Sequence, residues 1–503
     1  MEETLRPAPD TLPSRSLLTA LGLLIASVLC TPAIAATGPT SPLSHAGRWI
    51  TDAEGRVVII HGVNEVYKIG SYAPKDIGFD SDDAKFLQRH GFNAVRLGVI
   101  YKGVEPDPPS GGVPSYDDGY LAKIADTQRT LAQRRIFSLI DLHQDLFNEK
   151  FQGEGWPDWQ VLDDGLPNPQ NGFIANYLTN PALNRAFDHF WANDPASGVR
   201  LQNAYAAAWR HLAARFAGSR YLLGYDILNE PWPGSIWPSC FAAGGCAAFE
   251  QNQLTNFTKR VFAAIRQVDP ATLVFYEPFV SFNFGIPTQM GDVGDSRAGF
   301  SFHDYCGTAC EDRVFQHAVA RSAQTGDAPL NTEFGATKDL AEIGRILTAA
   351  DKHMTGWMWW QYSHVGDITT TAVAEEEAIV LDPSKPPDGA NVDLQKLRVL
   401  VRPYPQAVAG TPEHYGFDPS SRTFDLRYST ERADGSGRFG DGSITEVFVP
   451  SLQYPDKYAV STSGARVISG QGADVLRLRT CHGATTVEVR VTPGRLGAAS
   501  RKC

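Results

Sequence analysis

A (β/α)8 TIM barrel followed by a C-terminal all-β sandwich is the fold class this sequence predicts, and three observations carry the expectation. Eight short apolar runs are interleaved with helix-like segments across the first four-fifths of the chain. Two of those runs deliver a glutamate near their ends, in Asn229-Glu230-Pro231 and in Thr332-Glu333-Phe334-Gly335. Past Pro405 the texture changes to short strand-like runs separated by turn residues.

The elements follow in order. The β-branched run 56–64, RVVIIHGVN, comes after a turn at 52–55 and reads as the first strand. Segment 82–91 has an acidic start and ends in Gly91, which suits a helix. The strand 93–99 carries Arg96 inside an otherwise apolar run. A helix over 120–135, a strand over 136–143, a helix over 201–217 and the strand leading to Glu230 come next. Then follow helix 250–268, strands 272–277 and 299–303, helix 313–323, the Glu333 strand 329–335, helix 340–352, strand 356–362 and helix 393–401. The barrel is expected over 36–405 and the sandwich over 406–503. Two long connections, 147–195 and 365–390, each follow a strand, which places them on the face where barrel sites lie. The second of them reads as structureless. Gly435, Gly437 and Gly440 match a dinucleotide-binding spacing, but no helix follows them and no such site is expected.

The 503 residues suffice for more than one domain, and a net charge of −11 with no Lys/Arg run argues against a nucleic-acid partner. Arg6 and Arg15 precede an apolar run at 17–30, and Ala33-Ile34-Ala35 follows it. This describes a secretory signal peptide, 1–35, cleaved after Ala35. The run is shorter than the roughly 20 residues needed to cross a bilayer. Cys30 is preceded by Leu29, where lipidation would want a small residue, so a lipoprotein anchor is not expected. The mature chain is expected to be a secreted monomer with no transmembrane segment. Its six cysteines fall into near neighbours, Cys240 with Cys246, Cys306 with Cys310 and Cys481 with Cys503. Proximity selects that pairing from about fifteen possible ones, and export permits it. No second Cys pair accompanies Cys306 and Cys310 at zinc-site spacing.

The chemistry rests on Glu230 and Glu333. Two carboxyl groups on two strands of one barrel can flank a glycosidic bond, one protonated to donate to the leaving oxygen, the other ionised to attack the anomeric carbon. Asn229 would suit a hydrogen bond to the sugar 2-hydroxyl. Arg96 needs a partner inside its strand, either a structural ion pair or Glu333 itself. His143 and His303 end strands, Tyr305 can donate to Glu333, and Trp360, in preference to Trp359, can stack on a sugar. Asp141, Asp145, Asp226 and Asp304 read as binding or supporting carboxylates. Neither G-x-S-x-G nor H-E-x-x-H is present.

The set Arg96, His143, Asn229-Glu230-Pro231, His303, Tyr305, Glu333 and Trp360 resembles glycoside hydrolase family 5. The blocks DLHQDLFNEKFQGEGWPDW (141–159) and LNEPWPG (228–234), with the added β domain, look like the bacterial endoglycoceramidases or the related endogalactosylceramidases. The resemblance implies a retaining enzyme with Glu230 as acid/base and Glu333 as nucleophile, and no metal or organic cofactor. It implies hydrolysis between the intact oligosaccharide and ceramide of glycosphingolipids in micelles or membrane surfaces. Lys68 and Asp145 match the family's sugar-binding positions. Phe147, Phe151, Trp156, Trp159 and Ile174 could wall an acyl-chain groove or merely pack their loop. The alternatives are an endo-β-1,4-glucanase on polysaccharide and a non-catalytic glycan- or glycolipid-binding protein. The presence of both glutamates argues against the binder.

Overall fold

Apolar runs without polar alternation can form only strands covered on both faces, and eight of them close into a parallel barrel. The structure, a computed structural model, describes residues 38–242, 244–307, 310–494 and 502–503. The expected leader 1–35, with Cys30, lies outside the described residues.

The staves are β1 (His61–Glu65), β2 (Ala94–Ile100), β3 (Phe137–His143), β4 (Leu222–Asp226), β5 (Leu273–Tyr276), β6 (Ala298–Asp304), β7 (Ala328–Phe334) and β8 (Gly356–Trp359). Every residue in them is buried. Helices α1 (Ser81–Arg89), α2 (Asp118–Gln133), α3 (Leu201–Phe216) and α4 (Thr255–Arg266) follow the first four strands. No long helix follows β5; the single turn Val280–Phe284 stands there instead. Helices α5 (Glu311–Thr325), α6 (Leu340–His353) and α7 (Leu394–Leu400) follow β6, β7 and β8. The Asp80 side chain accepts from Asp82 N at the start of α1, and Asp83 returns a carboxylate to the Asp80 amide, which is why the acidic triplet begins a helix.

The run expected as one strand over 56–64 divides. Val57–Val58 pairs with the sandwich, and only His61–Glu65 enters the barrel. Both pieces are apolar, and the partner surface alone distinguishes them. The lead-in strands Ser44–Ala46, Trp49–Thr51 and Val57–Val58 join β9 (Tyr404–Val408), β12 (Ile444–Phe448), β15 (Val475–Thr480) and β14 (Ala465–Val467) in one seven-stranded sheet. The second sheet runs β10 (Thr411–Asp418), β11 (Thr423–Ser429), β16 (Thr486–Pro493), β13 (Tyr458–Ser463). Buried and open positions alternate along β11 and β16, as a strand with one face on a core requires. Leu43 and Ile50 of the lead-in pack with Leu139, Leu223, Phe275 and Leu330 as the floor of the barrel. Phe275 fills that interior so fully that a Cβ on Gly299 would stand 2.2 Å from its ring.

The sandwich is locked to the barrel by Tyr404. Its ring stacks on His61 at 3.6 Å between centroids, and its hydroxyl donates to Gly91 O at 2.6 Å. Phe448 lies over Gly91 where any side chain at that position would collide with it. Tyr404→Ala is therefore expected to lower stability by about 3–5 kcal/mol in urea unfolding, a loss under ~1 kcal/mol showing that this ring does not couple the two parts.

Candidate active site

Arg96, the third residue of β2, has no exposed surface and gathers four carboxylates. Its Nε donates to Asp226 Oδ2 at 3.0 Å, and Nη2 lies 3.1 Å from Asp141 Oδ1 and 2.9 Å from Glu277 Oε1. Nη1 donates to Glu333 Oε1 at 2.5 Å, and Nη2 also reaches Asn229 Oδ1 at 3.0 Å. Barrel register brings them together, since Asn64 is opposite Arg96 and Asp141 is opposite Asp226. Glu333, a partner expected for Arg96, is joined there by three further carboxylates. Burial opposes its charge, but Asp141, Asp226, Glu333 and Glu277 overcome that and hold the guanidinium protonated far above its ordinary range.

The expectation that Glu230 ends its strand is also corrected. β4 stops at Asp226, and Glu230 stands four residues later with φ +43°. A non-glycine residue held there signals a backbone imposed by its surroundings. Its amide donates to Glu277 Oε2 at 2.8 Å; its Oε1 accepts from Asn283 Nδ2 at 2.6 Å and meets His303 Nδ1 at 2.8 Å. Glu333 lies inside β7, opposite His303 in register. Its Oε2 accepts from the Tyr305 hydroxyl at 3.0 Å. One carboxylate oxygen of each glutamate and a ring nitrogen of His303 lie within 4.8 Å of one another. Gly335 follows at φ +122°, and a Cβ there would stand 2.4 Å from the Trp359 ring.

Burial pushes the Glu333 carboxyl above its ordinary range, against the pull of His303, Arg96 and His143. The opposite holds for His303, whose burial is outweighed by Glu277, Glu333 and Glu230, so it keeps its proton well above the usual range. Burial with the charges of Glu333 and Glu230 raises Tyr305 strongly, keeping its hydroxyl a donor.

A second cluster lies beside the first. Lys68 Nζ is 3.0 Å from Asp145 Oδ2, 3.0 Å from Asp367 Oδ1 and 3.7 Å from Glu154 Oε1, and donates to Thr369 Oγ1 at 2.7 Å. It also stands 4.6 Å over the Trp360 ring, against which His143 stacks at 5.2 Å. His143, Asp145 and Glu154 are spaced as metal ligands would be, but the Lys68 ammonium already supplies the positive charge among them. Burial opposes protonation of His143, yet Asp141 at 2.8 Å and Asp145 push it up to about 10. Burial would raise Asp145, but Lys68 and His143 hold it down at about 2.

Both clusters open on a cavity of about 630 Å³. Lys68, Asp145, Asn229, Glu230, Tyr305, Glu333 and Trp360 line its polar side, while Arg96, His143 and His303 stand beneath. The rest of the lining is largely apolar, with Phe173, Ile174, Leu178, Trp232, Trp237 and Phe241 among it. Of the five side chains considered for an acyl groove, Ile174 alone lines it. Phe147, Phe151 and Trp156 are buried within their own loop, Phe147 stacking on Trp156 at 4.2 Å, and Trp159 donates to Glu105 O. An insertion of 49 residues needs its own core, and the largest aromatics supply it. Likewise 365–390 is not structureless, since Ala374–Glu377 forms a helical turn. Glu154, Glu277, Asn283, Asp367 and Thr369 were not singled out from sequence; Glu277-Pro278 repeats the Glu230-Pro231 pattern and Glu154 sits in the block 141–159, whereas Asn283, Asp367 and Thr369 carry no local signal. Disulfides join Cys240–Cys246, Cys306–Cys310 and Cys481–Cys503. Helix Trp237–Ala242, clamped by the first, contributes Trp237 and Phe241 to the apolar wall.

Asp304, next to Tyr305, is almost wholly buried with Oδ2 unbonded; burial and the neighbours Glu311 and Glu342 raise it to about 7. A carboxyl raised on folding has no effect on stability below the unfolded value and lowers it as pH rises to the folded one. The stability advantage of Asp304→Asn over the parent is thus expected to grow from pH 4 to pH 7, by at most ~1.4 kcal/mol per unit, and then level off. A pH-independent difference in thermal unfolding would contradict this.

The family model "Cellulase (glycosyl hydrolase family 5)" matches residues 52–366, and the "Glycoside hydrolase family 5 C-terminal domain" matches 402–492. Endoglycoceramidase I of Rhodococcus hoagii (strain 103S) is 30% identical over 92% of this chain and 90% of its own length. Endoglycoceramidase of Cyanea nozakii is 29% identical over 75% of this chain and 79% of its own. Endo-glycoceramidase II from Rhodococcus sp., solved as a lactosyl-enzyme intermediate, superposes with TM-score 0.72 at 27% identity, covering 88% of this chain and 99% of that one. Its ganglioside GM3 complex superposes with TM-score 0.70 at 26% identity, covering 89% and 99%. With a closed barrel, two facing glutamates on its rim and both family models in place, the chain belongs to glycoside hydrolase family 5.

Proposed function

We propose that this chain is a retaining endo-β-glycosidase that hydrolyses the bond between the oligosaccharide and the ceramide of glycosphingolipids. The observation that carries the reading is a pair of glutamates, with oxygens within 4.8 Å, in a cavity lined by both polar and apolar side chains. That spacing suits direct attack, for which carboxyl groups stand about 5–5.5 Å apart, rather than the wider gap that admits a water. The relatives named endoglycoceramidase and the covalent lactosyl intermediate of a structural neighbour support the same reading. The apolar wall suits ceramide; the polar wall suits sugar hydroxyls.

Glu333 attacks the anomeric carbon while Glu230 gives its proton to the departing ceramide oxygen. The bond to ceramide breaks as an ester to Glu333 forms. Arg96 and Tyr305 hold the two Glu333 oxygens, so the attacking carboxylate is oriented before substrate arrives. Asn283 and His303 aim Glu230. In the second half, Glu230 takes a proton from water, whose oxygen attacks the same carbon and releases Glu333. Asn229 has Oδ1 tied to Arg96 and Nδ2 bonded to Gln144 O, leaving its second amide hydrogen for the sugar 2-hydroxyl. Lys68, Asp145 and Trp360 bind the sugar. The three disulfides support export, and among the described residues no helix is long and apolar enough to cross a membrane.

The cellulase description of the family model favours one second reading, an endo-β-1,4-glucanase. Incubation with a ganglioside, lactosylceramide, a galactosylceramide-based glycolipid and a cello-oligosaccharide, followed by mass spectrometry, separates the two. The proposal expects an intact oligosaccharide and free ceramide; cleavage of the cello-oligosaccharide alone would replace it. Glu333→Ala is expected to lose at least ~10³-fold in kcat, with azide restoring turnover as a glycosyl azide. Undiminished hydrolysis by that variant would remove Glu333 from its role.

A further inference from the structure

Glu277, the first residue past β5, is buried and faces only hydrogen-bond donors. Its Oε2 accepts from the Glu230 amide at 2.8 Å. Its Oε1 accepts from Arg96 Nη2 at 2.9 Å and lies 3.3 Å from His303 Nε2. When His303 carries both ring protons, each of these partners donates, so both oxygens of Glu277 must accept. An ionised carboxylate meets that demand; an amide in its place would turn its NH2 group toward one of the donors.

Through these partners Glu277 governs both the backbone and the carboxyl group of Glu230. The backbone of Glu230, at φ +43°, is held by Glu277 on its amide and by Gln144, whose Nε2 donates to Asn229 O at 2.9 Å and to Glu230 O at 3.2 Å. The carboxyl group presents Oε1 to Asn283 Nδ2 at 2.6 Å and to His303 Nδ1 at 2.8 Å. Two donors occupy that oxygen, which leaves Oε2 to carry the transferable proton. The groups facing His303 are Glu277 after β5, Glu230 after β4, Glu333 of β7 with Oε2 at 3.4 Å from Nδ1, and the Tyr305 ring at 6.2 Å. Of the three carboxylates, Glu277 is the one at Nε2. Burial works against the imidazolium, and Glu277 is the largest of the charges that restore it.

We propose that Glu277 is a positioning residue for the acid/base: one carboxylate fixes the Glu230 backbone and the His303 ring together, and so aims the Glu230 proton at the leaving oxygen. Glu277 does not line the cavity, so it acts through Glu230 and touches no substrate. The inference rests on the retaining reaction proposed above, in which the proton on Glu230 Oε2 passes to the leaving oxygen as the glycosidic bond breaks and the ester to Glu333 forms. A Glu277 that served only as a counter-ion of Arg96 would instead act on Glu333, and the attack of Glu333 is common to every substrate.

Leaving groups separate the two roles, because 2,4-dinitrophenolate departs without a proton whereas phenolate and the ceramide alkoxide need one. In Glu277→Gln the loss of kcat/KM on phenyl lactoside and lactosylceramide is expected to exceed the loss on 2,4-dinitrophenyl lactoside by at least ~10-fold. With the dinitrophenyl substrate, azide is expected to accelerate turnover of the variant and not of the parent, since azide attacks the ester without a base and water does not. Glu277→Asp keeps the charge beside Arg96 but is one methylene too short to hold both partners. It is expected to show the same selectivity with smaller losses, which keeps the test open if the amide variant does not fold. A second readout needs no turnover. In protein labelled with 15N-histidine, the His303 ring signals are those missing from His303→Asn, and in Glu277→Gln the ring is expected to lose its proton at least about one pH unit below the parent. Equal losses on the two aryl lactosides, or an unmoved His303 titration, overturn the inference. If the parent cleaves neither lactosylceramide nor an aryl lactoside while the His303 titration moves as described, the proposed function fails and the hold of Glu277 on His303 stands.

Discussion

One buried guanidinium holds the reacting end of this barrel together. Arg96 stands among Asp141, Asp226, Glu277 and Glu333, contributed by β3, β4, the end of β5 and β7. Desolvating an ion costs several kcal/mol, and removing Arg96 would leave four carboxyl groups to repel one another or bind protons. The planar fork of arginine is suited to this, since Nε and both terminal nitrogens address different carboxylates at once; an ammonium could not keep those directions. Asp226 shows how finely the charge is balanced: burial and its neighbours Glu277 and Asp141 drive its carboxyl strongly toward the neutral form, against Arg96. Glu277 goes the other way despite its burial, because His303 and Arg96 both face it. The glutamates above inherit their orientation from this floor.

Above the floor the cavity is lined by both polar and apolar side chains. Charges are confined to two clusters, one around Arg96 and one around Lys68, and both are buried against the polar side of the cavity. The other wall comes from uncharged connections, steadied by the Cys240–Cys246 disulfide and by a packed aromatic core. In that core Trp156 meets Phe147, Phe190 and Tyr205, and Trp232 meets Tyr177. The insertion after β3 therefore uses its large rings twice, some to build a rigid wall and a few at its edge to face the ligand. A low-dielectric wall beside preoriented carboxylates strengthens the electrostatic terms on which glycosyl transfer depends.

Local sequence carried much of this. The strand runs, the helix over 82–91 with its acidic start and terminal glycine, and the motif Asn229-Glu230-Pro231 are legible because periodicity, capping and turn chemistry act over a few residues. Glu333 is legible for the same reason, a carboxylate near the end of an apolar run with a glycine after it. Asn283 and Thr369 are not, because nothing beside them distinguishes a polar residue that bonds Glu230 or Lys68 from one that faces water. Phe147 and Trp156 show the converse limit. Composition marked their loop as aromatic, but which ring packs inward depends on helix Pro181–Trp191, more than thirty residues downstream of Phe147.

The sequence by itself determined the fold class, the order of its elements and the pair of glutamates, since each is written in short-range patterns that water and backbone geometry enforce. Tertiary structure alone decided that Val57–Val58 belongs to the sandwich and His61–Glu65 to the barrel, that Arg96 serves four carboxylates, and that Glu230 stands beyond its strand in a left-handed turn. The physical reason is closure. Bringing β8 beside β1 sets residues 64, 96, 229 and 333 around one point, and the partners of a buried charge are then chosen by that convergence, not by neighbours in the chain.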